Sequence, residues 1–240
     1  MTTARLPLFP LNSVLFPGLV LPLNVFEERY RALVADLLEL PADAPRRFGV
    51  VGIRDGLETG PSGPGVPDST ATSGFGPDLE RSLYFTGCTA EVASVQKEED
   101  GRYELVATGT TRFRVLSVDT TGPYLVAEVE DLPEVPGEGA GALASGVLRT
   151  FRTYQKRLAG ARERTISASQ ELPDDPSVLS YLVAAATVAE LPVKQRLLEA
   201  PDTASRLRAE LEMLRREAAV IGRLPSLPAT ELTRRPVSPN

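Results

Sequence analysis

The spacing of hydrophobic and polar positions changes character several times along this chain. Residues 6–9 and 18–23 are short apolar runs broken by Pro7, Pro10, Pro17 and Pro22, and they predict two strands with a Pro-Gly turn at Pro17 and Gly18. Phe26, Tyr30, Leu33, Val34, Leu37 and Leu38 then recur at helical spacing. With Asn24 as N-cap and Glu27 three residues on, a helix is expected over 25–38, with Phe26 and Tyr30 on its inward face. Pro41 and Pro45 end it, and the nearly continuous apolar run 48–53 predicts a buried strand.

From 54 to 82 the apolar period disappears among Gly, Pro, Ser and Thr, so a mobile loop is expected. Strand patterning returns over 83–132, with Glu99, Asp100 and Gly101 turning between strands 88–95 and 103–108, and with two more strands at 112–118 and 124–130. A Gly- and Pro-containing joint at 133–141 leads to helices. Leu143, Val147, Phe151, Tyr154 and Leu158 line the first of these, and Asp175 with Pro176 starts a second over 178–188. A short helix at 193–200 precedes a long one at 203–221, which carries Leu207, Leu211, Leu214 and Ile221 and stops at Gly222. The expected organisation is strands with one early helix over 1–132, a helical bundle over 133–222, and a disordered Pro-containing tail over 223–240.

Composition narrows the chemistry. The 240 residues, 42% hydrophobic and 24% charged, can bury a real core, and the net charge of -6 disfavours a general grip on phosphate backbones or anionic lipid. With no histidine and a single cysteine, Cys88, the chain cannot build a His-based triad, a conventional zinc site or an internal disulfide. A cytoplasmic setting with no cofactor and no metal is therefore expected. Four prolines within 6–25 and the charged residues 27–31 argue against a membrane span or a cleaved signal. Lys97, Lys156 and Lys194 are the only lysines, none follows a glycine, and none lies in a run that suggests a desolvated base. Gly60, Pro61, Ser62, Gly63 and Pro64 come nearest to a nucleophile elbow but depart from G-x-S-x-G at the last position, so a non-catalytic chain is expected.

The opening segment LPLFPLNSVLFPGLVLPLNVFEERYRALVADLL at 6–38 is followed by GCTAEV at 87–92, GTTRF at 109–113 and PYLVAEVEDLPE at 123–134, and then by the helical stretch 179–217. In content and order these segments resemble the N-terminal, substrate-binding domain of the Lon protease family. The resemblance spans most of the chain apart from the loop and the tail. It implies an α+β fold, a PUA-like β barrel followed by a helical bundle, which in Lon engages protein substrates before the motor pulls on them. The ATPase and peptidase that follow this domain in Lon are missing from the sequence, which reads as a stand-alone member.

On this reading the chain captures unfolded or exposed apolar segments in a groove between barrel and bundle, or acts as an adaptor in protein quality control. Its partners are unfolded or partly folded polypeptides and a separate ATP-dependent protease, with no membrane. The alternative is a PUA-like RNA-binding or small-ligand-binding module; acidic charge and the lack of an interleaved basic and aromatic stripe count against nucleic acid. Leu15, Phe16, Leu19 and Val20 flank the Pro17-Gly18 turn and are the candidate substrate-binding residues if they project into solvent. The alternative is that they cap the core. Arg112 is expected to be held by a carboxylate such as Glu27, and Arg206, Arg208, Arg215 and Arg216 to form the wet side of a helix.

Overall fold

The computed structural model describes residues 3–59, 70–76, 78–161 and 172–221. Among the described residues, six strands and six helices follow one another as β1 (Thr3–Leu11), β2 (Val20–Val25), α1 (Glu28–Glu39), β3 (Arg47–Ile53), α2 (Leu79–Ser82), β4 (Leu83–Lys97), β5 (Tyr103–Asp119), β6 (Val126–Leu132), α3 (Ala140–Ala161), α4 (Pro176–Ala186), α5 (Leu191–Leu198) and α6 (Thr203–Ile221). The tail 223–240, the segment 60–69, which holds the Ser62 motif, and Gly222 lie outside the described residues.

The strands form one mixed sheet in the order β2-β5-β4-β3-β1-β6, with β5 also pairing β6. β1 and β3 run parallel, in register Leu8 with Gly49 to Leu11 with Gly52. The expected PUA-like β barrel is therefore corrected to a mixed six-stranded sheet beside a helical bundle. β2 ends the sheet, since among the described residues it pairs β5 alone, through Val20 to Thr108 and onward to Val25 with Tyr103. Pro22 lies in the middle of it, and a residue without an N–H is more readily tolerated in a strand with one unpaired side.

The strands expected separately at 103–108 and 112–118 are one 17-residue strand, β5. A register shift between Val115 and Ser117 on the β6 side, and two more on the β4 side, bend it. This lets one strand serve β2 and β4 with its first half and β6 with its second.

Alternation along the strands sorts neighbours to opposite faces, and both faces are covered. Phe9 and Val50 join Leu33, Val34 and Leu37 of α1 in one core, whereas Leu8 and Val51 join Phe113, Val129 and Leu83 in another. Both halves of the run at 48–53 thus find apolar cover, which is why no polar residue interrupts it. The glycines of GCTAEV and GTTRF are fixed by close approach. A Cβ on Gly87 would meet the Val50 carbonyl oxygen at 2.4 Å, and one on Gly109 would meet that of Phe16 at 2.4 Å.

Two boundary expectations change. α1 begins only at Glu28, with Glu27 in the cap position in place of Asn24, so Phe26 precedes the helix and is 53% exposed, while Tyr30 is buried as expected. Of the segment 54–82, the described part packs locally: Gly56 bridges to Phe75, Ala71 is buried, and the buried Arg29 guanidinium donates to the carbonyls of Ala71, Ser73 and Glu58.

The bundle follows its pattern closely. Val147, Phe151 and Tyr154 of α3 pack against Leu207 and Leu214 of α6 and Leu179 and Val183 of α4. Asp175 caps α4, accepting from the Ser177 and Val178 backbone N–H groups at 2.8 and 3.1 Å, with Pro176 in the first turn. α6 runs over the stretch its sequence predicts, Thr203–Ile221.

Candidate functional site

The sheet and the bundle meet at Phe16. Its ring packs 6.1 Å from that of Tyr181, among Ala184, Leu197 and Leu198. Leu15, in contrast, belongs to the core under α1. Of the four residues proposed from sequence, Phe16 is 1% and Leu15 6% exposed, Leu19 is partly buried, and Val20 is 64% exposed. Leu15 and Phe16 are therefore core. The Gly18 N–H donates to the Gly109 carbonyl and the Gly109 N–H to the Leu19 carbonyl, each at 2.8 Å, so the Pro17-Gly18 turn is fixed to β5 and directs Phe16 inward.

Beside Phe16 lies a polar network in which two buried arginines meet a partly exposed carboxylate. Glu134, just past β6, takes an ion pair from Arg112 of β5 at 3.2 Å and another from Arg206 of α6. It also accepts hydrogen bonds from Thr203 Oγ1 at 2.6 Å and from the Tyr181 hydroxyl. Arg112 Nη1 donates to the carbonyls of Leu198 and Ala200 at 2.8 and 2.7 Å. Arg206 Nε donates to Ser180 Oγ at 2.8 Å, and its guanidinium sits 3.8 Å over the Tyr181 ring. One carboxylate thus joins β5, α4 and α6.

The electrostatics follow. Burial works to raise the Glu134 carboxyl, but hydrogen bonds from Thr203 and Tyr181 and the charges of Arg206 and Arg112 outweigh it and hold it below its ordinary range. Glu210, one turn beyond Arg206, is 0% exposed and neither carboxyl oxygen has a hydrogen-bond partner among the described residues. Burial pushes that carboxyl well up, against the nearby Arg206 charge.

Two sequence expectations are corrected here. Arg112 is held by Glu134, whereas Glu27 pairs with Arg29 at 3.0 Å. Arg206 is fully buried and not on a wet face, because α6 turns its buried 203 and 206 positions toward α4 and Glu134. The spacing of these polar residues beside Leu207 and Leu214 is visible in the sequence. Their burial is not, since Glu134, the partner of Thr203 and Arg206, lies in a distant segment. Lys194 also departs from expectation, being half buried: Nζ donates to the Ala185 carbonyl at 2.8 Å, and desolvation lowers its basicity. Cys88 behaves as a buried apolar residue, its thiol pushed up to about 12 chiefly by burial.

In front of the network opens a groove of about 370 Å³, lined by Pro17, Gly18, Thr110, Thr111, Leu132, Pro133, Ser177 and Val178, with Arg112, Glu134 and Tyr181 at its base. Val178 stands 47% exposed in it. A larger trough of about 760 Å³ runs between α5 and α6 over Val193, Leu197 and Met213, with a rim of Glu190, Arg196, Glu212, Arg216 and Glu217. No helix among the described residues is long and apolar enough to cross a membrane.

Comparison with known proteins gives this architecture a family. Residues 5–216 match the family described as the ATP-dependent protease La (LON) substrate-binding domain. A Lon protease of Anaeromyxobacter dehalogenans is 31% identical over 226 residues, 91% of this chain and 24% of that protein. Lon protease 2 of Myxococcus xanthus is 29% identical over 90% of this chain, and the chain spans about a quarter of the length of the curated relatives it matches (24%, 24% and 25%). Among solved structures, the N-terminal domain of the Mycobacterium avium complex Lon protease shares the fold with a TM-score of 0.61 at 18% identity, covering 88% of this chain and 98% of that one. The matched region is the non-catalytic, substrate-binding part of Lon, distinct from its ATPase and peptidase. The chain belongs to the LON substrate-binding domain family.

Proposed function

We propose that this domain holds exposed apolar segments of unfolded or partly folded polypeptides in the groove between sheet and bundle, in a reducing cytoplasmic setting, for a separate ATP-dependent protease. The observation that carries this reading is the composition of the groove. Apolar Pro17, Leu132, Pro133 and Val178 alternate with the hydroxyls of Thr110, Thr111 and Ser177. Such a lining takes apolar side chains while offering partners to peptide groups, and it imposes little sequence preference.

The base of the groove is preorganised, because the Arg112–Glu134–Arg206 network fixes the angle between the two subdomains whose surfaces form the walls. The outer edge of β2 offers a second mode, backbone pairing, which Pro22 restricts to part of the strand. RNA fits less well: Arg112 is the one cation among the lining residues, and Glu134 neutralises it.

Site-specific photo-crosslinking tests the reading. A benzoylphenylalanine at position 178 should capture a reduced, carboxymethylated model protein, and the same probe at Val188, exposed on the α5–α6 trough, should not. Capture should persist in high salt. Equal capture at both positions, or capture at 188 alone, contradicts the assignment.

A further inference from the structure

A third cavity, of about 200 Å³, is lined by residues of β1, β2 and the start of α1, among them Phe9, Leu11, Leu23, Glu27, Tyr30 and Glu58. Its volume is below the range of sites that take whole small ligands and suits one side chain. The apolar walls come from Phe9, Leu11 and Leu23, and Phe26 stands 53% exposed at the mouth.

The cavity has a polar end with a definite sign. Tyr30 is 4% exposed, and its hydroxyl has no hydrogen-bond partner among the described residues, an unusual state for a buried phenol. Around it stand Arg29, Glu27 and Glu58. Arg29 is already engaged, with Nη1 donating to the Ser73 carbonyl at 2.5 Å, Nη2 to the Glu58 carbonyl at 3.3 Å, and an ion pair to Glu27 at 3.0 Å. Glu27 and Glu58 give this end of the cavity its acidic character beside the engaged Arg29. The phenol itself is kept neutral by burial, which together with Glu27 and Glu58 outweighs Arg29.

We propose that this cavity takes the side chain of a lysine or arginine in a bound polypeptide. The aliphatic stem lies along the apolar wall, and the cationic head meets the Tyr30 hydroxyl oxygen and the Glu58 carboxylate. An acidic side chain would meet two carboxylates and be rejected. The cavity opens beside Pro22, Leu23, Asn24 and Val25 of the edge strand, so a segment extended along β2 presents alternate side chains toward it. This inference rests on the polypeptide-binding reading and adds a preference for a basic residue next to the apolar segment.

The test uses the full chain and three fluorescein-labelled peptides of alternating Leu and Thr that differ at one central position, Lys, Ala or Glu, measured by anisotropy at low salt. The Lys peptide should bind about tenfold more tightly than the Glu peptide, and Glu58→Gln should reduce that ratio to about threefold or less. Tyr30→Phe should weaken the Lys peptide without changing the Ala peptide. If Tyr30→Phe does not fold, Glu58→Gln, whose side chain is partly exposed, still decides. Retained Ala binding with no Lys preference, or a preference undiminished in Glu58→Gln, overturns this inference alone. Loss of binding by all three peptides to the wild-type chain overturns the groove reading with it.

Discussion

Arg112 on β5 and Glu134 beyond β6 stand 3.2 Å apart, and the same carboxylate reaches Arg206 on α6. With side-chain exposures of 3% and 0%, the two arginines share that carboxylate as their ion-pair partner among the described residues. The junction between sheet and bundle is therefore electrostatic at its centre and apolar at Phe16.

Glu134→Ala should cost about 3 kcal/mol of stability, because it leaves two buried guanidinium groups without their anion. Chemical denaturation at neutral pH measures it. The acid limb should change as well: the Glu134 carboxyl is held below its unfolded value, so its stabilising contribution is present above that value and is lost as pH falls through the folded one. The variant should lack that part of the acid loss.

Glu210 has the opposite sign. Its folded carboxyl is raised, so the stability associated with it is complete below the unfolded value and is lost as pH rises through the folded one. Glu210→Met should thus match or exceed wild-type stability at neutral pH, by about 1 kcal/mol or more, with an advantage that shrinks toward acid. Melting temperatures across pH check this; an advantage that grows toward acid would show that the carboxyl is ionised and paired when folded.

Phe16→Ser should lower stability by about 3 kcal/mol or more, since it removes an aromatic ring from the junction core. Val20→Ser, at a position 64% exposed, should leave the melting temperature nearly unchanged. Calorimetry of the pair separates core from surface at the Pro17-Gly18 turn.

Gly109→Ala should be destabilising by about 2 kcal/mol, because the new methyl meets the Phe16 carbonyl, a backbone atom that cannot rotate away. Soluble protein with an unchanged denaturation midpoint would show that the turn can yield.

Much of this fold was legible in sequence because local signals suffice for helices. The bounds of α6, the Asp175 cap of α4 and the buried Val147, Phe151 and Tyr154 all follow from spacing and capping chemistry. The order of the strands was not legible, since whether β2 is an edge depends on a partner strand far along the chain, as in the pairing of Val20 with Thr108. The site was legible only in part. The segment around Phe16 was identified, but its direction is set by Gly109, and the burial of Arg206 is set by Glu134. Both are long-range facts that neither period nor composition encodes.

The central claim, that polypeptide segments are held in the groove between sheet and bundle, is tested most directly by titrating a reduced, carboxymethylated model protein against the wild-type chain and Val178→Asp. Position 178 lies in the first turn of α4, where an acidic residue favours the helix dipole, so folding is spared. The account predicts an unchanged melting temperature and an affinity lowered by about tenfold, as a charge replaces an apolar contact in the groove. Unchanged affinity at unchanged melting temperature would contradict it.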